Sequence, residues 1–287
     1  MLLLPPIQSP DAPIGVITVQ PCVSIGVPVF NGDAYLHLAL DSLLTQTFSD
    51  LEIIISDNAS TDTTESICRK YAAEDRRIRY VRQTANMGVT ANFKFVLHEA
   101  KGEYFMWAAA DDERAIDCVE FYLANIGNSG GVFSTYAVRD RRSSIDTEAS
   151  IPTLSGRPGS TRDVRAFLRN PCPSFFYGLF RRSVAMEFCP RSAFDWSDCL
   201  YILEVIESAG FVGVKSTPKY FAGTFGAYSA KPSNGRYLVP FNYLRKAFPI
   251  AARAGVPAVF AHLGILATAA RLNYRIAKQA YAEKVLT

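Results

Sequence analysis

From Cys22 to about Asn125, short apolar runs alternate with longer stretches of helical period. Cys22–Val29 is a short β-rich run, and Ala34–Leu44 follows with Tyr35, Leu36, Leu38, Leu40, Leu43 and Leu44 near helical spacing. Leu51–Ser56 (Leu-Glu-Ile-Ile-Ile-Ser) predicts a second, buried strand. Thr61–Ala73 predicts a helix, with Ser60, Thr61 and Asp62 as candidate N-caps. Arg77–Arg82 alternates charged and apolar residues, the pattern of an edge or half-buried strand. A helix over Thr90–Glu99 and a buried strand over Tyr104–Ala110 complete the series. Strands and helices alternating at this spacing predict βαβ units and a parallel sheet.

Beyond Asn125 the rhythm changes. Gly131–Val138, Phe175–Phe180, Phe211–Val214 and Lys219–Phe225 read as strands, and Asp198–Ser208 as a helix. Arg139–Ser160, rich in Ser, Thr, Arg and Gly, reads as a mobile loop that would close over bound ligands. From Ala230 a polar loop leads into a helical tail. No internal repeat or low-complexity tract is evident.

Composition narrows the class. The 287 residues are 49% hydrophobic and 20% charged, which is globular and slightly apolar for a soluble chain. A net charge of +3 is too small to argue for nucleic acid as a partner. The short runs Arg139–Arg142 and Arg181-Arg182 read as solvated faces. Six scattered cysteines without a CxxC pair suit reduced, mostly buried thiols of a cytoplasmic protein. Met1–Pro6 lacks a positive flank and is cut by proline, so it does not read as a signal peptide. The segment Ala254–Ala270 is the nearest approach to a spanning helix, but Pro257, His262 and two glycines interrupt it. It suits a buried or dimer-forming helix, or one lying on a membrane surface, which would place the chain at the inner face of the membrane.

Four candidate sites fall after strands, where open α/β sheets bind ligands. Pro28-Val29-Phe30-Asn31-Gly32 would form a rigid lip for a planar base or ribose; an ordinary βα turn is the plainer reading. Asp57 ends the second strand and suits the imide N–H of a pyrimidine, while Ser60, Thr61 and Asp62 suit capping. In Asn86-Met87-Gly88, glycine permits close backbone approach and asparagine offers both donor and acceptor. Asp111-Asp112 suits Mg²⁺ or Mn²⁺ with phosphate oxygens, against the alternative of acids serving a helix dipole.

The order PVFN, LEIIISDNASTD, NMGVTAN, GEYFMWAAADD resembles the inverting family 2 glycosyltransferases, most strongly over Val23–Val119 and more weakly over Phe175–Tyr228. A helical C-terminal appendage is read from the tail's own pattern, where the resemblance is absent, as it is in the first twenty residues. The resemblance implies an α/β fold: a Rossmann-like, mostly parallel sheet flanked by helices, of the glycosyltransferase A type, with a donor-nucleotide half (22–125) and an acceptor half (126–228) between the N-terminal extension (1–21) and the helical tail (229–287). It implies Pro28, Phe30, Asn31 and Asp57 at the base and ribose, Asn86 and Gly88 near the base and diphosphate, and Asp111 and Asp112 as the DXD-type metal motif. The first acid of that motif is Ala109 here. The family's acidic motif at a helix start corresponds to Phe194–Leu200, where Asp198 is the candidate base, Asp195 the reserve, and Trp196 a stacking surface for an acceptor sugar. The plainer roles are an N-cap for Asp195, a first-turn dipole partner for Asp198 and packing for Trp196.

The expected function is a metal-dependent, inverting transfer of a sugar from a nucleotide-diphosphate donor, UDP-sugar favoured, to a hydroxyl of a glycan or lipid-linked glycan. The alternative is a non-catalytic scaffold, or a nucleotide-binding protein, that keeps the fold. A nucleotidyltransferase is disfavoured because Pro-Val-Phe-Asn-Gly stands where a Gly-rich phosphate loop belongs.

Overall fold

The computed structural model describes residues 20–141, 145–189, 197–224 and 241–257. The first part of the chain runs β1 (Val23–Val29), α1 (Leu36–Leu44), β2 (Leu51–Asp57), α2 (Thr64–Glu74), β3 (Ile78–Arg82), α3 (Val89–His98) and β4 (Tyr104–Trp107). It continues with β5 (Glu113–Arg114), α4 (Cys118–Ile126), β6 (Gly131–Ser134), β7 (Tyr136–Asp140), β8 (Ile145–Ala149) and β9 (Leu154–Ser155). Then come α5 (Thr161–Arg169), a 3₁₀ turn (Pro173–Tyr177), β10 (Leu179–Arg181), α6 (Arg182–Phe188), α7 (Ser197–Ser208), β11 (Phe211–Val214), β12 (Tyr220–Thr224) and α8 (Phe241–Arg253).

The main sheet has eight strands in the order β3-β2-β1-β4-β10-β6-β11-β9. β3, β2, β1 and β4 are mutually parallel, which requires helical crossovers that cover the sheet and explains why every residue of β1 is buried. β10 and β9 run antiparallel to their neighbours. Proline is tolerated in central β1 because β4 ends at Trp107, opposite Gly26, before the ladder reaches Pro28. A second, four-stranded sheet, β5-β12-β7-β8, lies beside the acid-bearing loop that follows β4.

Four sequence expectations need correction. The apolar run Gly131–Val138 is not one strand: it turns a corner at Thr135, with β6 in the main sheet and β7 in the second. The expected loop Arg139–Ser160 contains β8 and β9; Arg139 and Asp146 face each other across the β7–β8 ladder, so an ion pair at 2.8 Å takes the place of the apolar pairing that sequence patterns reveal. Phe175–Phe180 starts as a 3₁₀ turn, with Pro173 at its start, and becomes extended only at Leu179. The strand expected over Tyr104–Ala110 stops at Trp107, and its last ladder bond runs from the Ala108 N–H to the Gly26 carbonyl (2.8 Å).

Stacking of Trp107 on Phe176 (4.4 Å between centroids) and an edge contact from Tyr201 of α7 pack the sheet's centre against the 3₁₀ turn. All six cysteines are unpaired, four of them buried. No described helix is long and apolar enough to cross a membrane. Most of the segment Ala254–Ala270 lies outside the described residues.

Candidate functional site

The turns after β1 and β2 are stitched together. Asn31, at φ 50°, donates its N–H to Ser60 Oγ (2.9 Å), and its Oδ1 accepts the Thr61 N–H (2.8 Å). The Gly32 N–H bonds Thr64 Oγ1 (2.9 Å) and the Asp33 N–H bonds Asp62 Oδ2 (3.3 Å). None of the three expected caps is the N-cap of α2, which is Thr63 and makes no side-chain cap bond; Asp62, just before it, accepts the Thr64 N–H at 3.0 Å. Ser60 and Thr61 hold the neighbouring turn instead, since unsatisfied turn amides compete for the same short side chains.

Ala59 sits at φ 60°, a left-handed conformation that costs an alanine about 1–2 kcal/mol. Ala59→Gly should therefore stabilise the protein by about 0.5–1 kcal/mol, raising Tm by about 1–4 °C in a thermal melt. A lowered Tm would contradict this backbone assignment.

Asp57 has no exposure and is held entirely by protein groups. Its Oδ1 accepts the Ser60 N–H (2.8 Å), and its Oδ2 accepts Tyr80 Oη (2.9 Å) and Arg82 Nη1 (2.7 Å). The carboxylate thus organises the turn around the expected base site. Beside it stands Asn58, which sequence reasoning did not single out. Asn58 Nδ2 donates to Asn86 Oδ1 (2.8 Å) and its Oδ1 accepts the Met87 N–H (2.8 Å), joining the ends of β2 and β3. Gly88, at φ 84°, begins α3. Beneath, buried Asn92 donates to the Ser56 carbonyl (3.0 Å) and accepts from Ser56 Oγ (2.6 Å), tying α3 to the strand ends. Pro28 is buried in β1, whereas Phe30 is 47% exposed, so the lip is Phe30. Met87 and Val89 expose further apolar surface beside Asn58.

The acids after β4 have unequal environments. Asp112 is buried: its Oδ1 accepts the Gly223 N–H (2.9 Å), and its Oδ2 accepts a short hydrogen bond from Tyr220 Oη. Burial, and then the neighbouring Asp111 charge, push its carboxyl up to about 6. The Tyr220 ring lies under the Arg114 guanidinium at 4.3 Å. Asp111 is half-buried, and its side chain bonds no other side chain among the described residues. Burial raises its carboxyl too, opposed by its own backbone N–H and by the Arg141 charge. Arg141 Nη2 grips the Asp111 main-chain oxygen at 2.6 Å. No group of three or more His, Cys, Asp or Glu side chains among the described residues gathers as a protein-only metal cage. One carboxylate beside a phosphate-bearing ligand is instead the arrangement that Mg²⁺ or Mn²⁺ accepts. Asp111 fits that role, and Asp112 is already engaged.

Asp198 lies in the first turn of α7, which packs on the 3₁₀ turn Pro173–Tyr177. Its Oδ1 accepts the Cys199 N–H (2.7 Å), and burial holds its carboxyl above the ordinary carboxylate range. Asp195 and Trp196 lie outside the described residues.

Against known proteins, the family described as Glycosyl transferase family 2 matches residues 24–188, more than half of the chain. Glycosyltransferase GlyA of Streptococcus pneumoniae is 36% identical over 98 residues, 34% of this chain and 14% of GlyA. The GalNAc(5)-diNAcBac-PP-undecaprenol beta-1,3-glucosyltransferase of Campylobacter jejuni is 38% identical over 95 residues, 33% of this chain and 31% of that enzyme. The matched part thus spans less than a third of either relative. Among solved structures, S. aureus TarS 1–349 in complex with UDP-GlcNAc superposes with a TM-score of 0.64 at 16% identity, covering 85% of this chain and 70% of that one. The mannosyltransferase PcManGT from Pyrobaculum calidifontis, in complex with GDP-Man and Mn²⁺, gives 0.52 at 18% identity, covering 94% and 81%. At such identities these are likenesses of fold, and the fold is that of A-type glycosyltransferases. With the family match spanning β1 through α6, the chain belongs to glycosyl transferase family 2.

Proposed function

We propose that this chain transfers a sugar from a nucleotide-diphosphate donor, UDP-sugar favoured, to a hydroxyl of a glycan or lipid-linked glycan, with inversion. The observation that carries the reading is the gathering of Phe30, Asn58, Asn86 and Asp111 at the carboxyl ends of β1 to β4, where such sheets bind nucleotides. Names of relatives and fold neighbours that carry UDP-GlcNAc or transfer to undecaprenol-linked glycans support it.

In this reading Phe30 and Met87 flank the base. Asp57 and Asn58 keep the surrounding turns in place, and the glycine at 88 lets the backbone near the diphosphate approach. Asp111 would hold a divalent cation, Mn²⁺ or Mg²⁺, whose chemistry is to neutralise the diphosphate as it leaves. Asp198 takes the proton of the acceptor hydroxyl as that oxygen attacks the anomeric carbon on the face opposite the leaving group. A single displacement needs no second carboxylate as nucleophile.

Calorimetry with UDP, GDP, CDP, ADP and dTDP, with and without Mn²⁺, tests the donor side. The expected result is that UDP alone binds, at least about tenfold tighter with Mn²⁺. Tight binding of another diphosphate would reassign the base. Binding of none, or binding indifferent to metal, would favour the scaffold reading.

A further inference from the structure

The second sheet forms one wall of the acid loop, and its contacts there are unusually specific. Gly223 of β12 lies so close to the loop that a Cβ would collide with the Asp111 main-chain oxygen and stand 3.0 Å from the Arg141 guanidinium. The Gly223 N–H meanwhile holds Asp112. Arg141 itself spans two groups: Nη2 bonds the Asp111 oxygen (2.6 Å) and Nη1 meets Glu113 Oε1 (2.9 Å). The other oxygen of Glu113 meets Arg139 Nη1 (2.9 Å), whose guanidinium also grips Asp146. These groups line an open cleft of about 480 Å³ with Tyr35 and Leu38. The two arginines and two carboxylates there are bonded to one another, and their charges cancel. That is the signature of a strut rather than of a site awaiting an ion.

We propose that Arg141, seated against Gly223 and anchored by Glu113, is a positioning residue that fixes the Asp111 backbone so that its carboxylate faces the donor's metal. The inference rests on the donor reading above and goes beyond it. It assigns the β7–β8 hairpin the task of setting metal affinity without touching metal or nucleotide. Three restraints converge on two residues: Arg141 on the Asp111 carbonyl, and Gly223 and Tyr220 on the two oxygens of Asp112. With the peptide between Asp111 and Asp112 pinned on both sides, the Asp111 side chain retains little more than its own rotamers. Outer groups that orient a ligand in this way are worth about 10–100-fold in metal affinity when removed.

The test measures Mn²⁺ affinity by electron paramagnetic resonance in the presence of UDP, UDP affinity without metal, and Tm. The variants are Arg141→Gln, Arg141→Lys, Gly223→Ala and Asp111→Asn. Arg141→Gln and Gly223→Ala should weaken Mn²⁺ about 10–100-fold while metal-free UDP affinity stays within about twofold of wild type. Arg141→Lys, which keeps a cation able to reach the Asp111 oxygen, should recover part of the loss. Equal losses in Mn²⁺ affinity, metal-free UDP affinity and Tm would mean a merely structural role and overturn the proposal. So would unchanged Mn²⁺ affinity in Arg141→Gln and Gly223→Ala alongside its loss in Asp111→Asn, with the donor reading left standing. A wild-type protein that binds UDP but no Mn²⁺, or whose Mn²⁺ affinity survives Asp111→Asn, would bring down the metal reading and this inference together.

Discussion

Asp198→Asn should lower kcat about 10²–10⁴-fold, the usual worth of a general base, while Tm at neutral pH holds or rises. The two readouts move apart because the side chain has two separable roles. Within the first turn of α7, Asp198 offers Oδ1 to the Cys199 N–H at 2.7 Å, and an asparagine oxygen accepts the same bond. As a base, it needs a basic lone pair, which an amide lacks. Burial holds the Asp198 carboxyl above its ordinary range, so folding favours its protonated form. The stability it contributes is complete below the unfolded-state value and is lost as pH rises through the raised folded value. At neutral pH the buried charge is a burden, and asparagine removes it. The same shift places the acid limb of the kcat–pH profile above the ordinary carboxylate range in wild type, with activity rising as pH passes the raised value. Initial rates at saturating donor across pH, paired with thermal melts, decide the matter. A kcat within tenfold of wild type would reduce Asp198 to a dipole partner in the first turn of α7.

How far the sequence disclosed this arrangement depends on the kind of signal. β1, β2 and β4 were legible because strands covered on both faces carry continuous apolar runs such as Ile53-Ile54-Ile55, edge strand β3 showed by its alternation, and amphipathic helices intervene. The second sheet was hidden for the opposite reason. β8 is exposed along nearly its whole length, and an Arg139–Asp146 pair takes the place of apolar pairing. An amphiphilic stretch of that composition is indistinguishable from a loop until its partner strand is known. The Thr135 corner is hidden too, since residues on both sides of it are apolar while belonging to different sheets. At the strand ends, which side chains bond one another was not readable. Asp57 was expected to face a ligand, whereas Tyr80, Arg82 and the Ser60 amide occupy it. Ser60 reaches it within the local turn, but Tyr80 and Arg82 come from β3, whose place beside β2 only the sheet order fixes. Asn58 escaped notice because an amide beside a carboxylate carries no chemical signal until its contacts with Asn86 and Met87 appear.

The adjacent acids make the sharpest contrast, because identical residue types should fail in opposite ways. Asp111→Asn should leave Tm unchanged or slightly higher, since it removes a half-buried carboxylate whose charge burial already disfavours, and should weaken Mn²⁺-dependent UDP binding by about a hundredfold or more. Asp112→Ala should act on the fold instead. It strips the acceptors from the Tyr220 hydroxyl and the Gly223 N–H, each a loss of about 1–3 kcal/mol when the donor stays buried. Relief of the burial that lifts this carboxyl to about 6 offsets part of that cost. The net fall in Tm should still be about 5 °C or more. Tyr220→Phe removes one of the two donors without orphaning the carboxylate, because Gly223 continues to hold it. Its Tm should therefore fall between those of wild type and Asp112→Ala. Thermal melts and calorimetry on the three variants measure both quantities. If Asp111→Asn destabilised the protein while Asp112→Ala alone abolished metal-dependent binding, the roles would have to be exchanged, and the cation would belong to the buried acid.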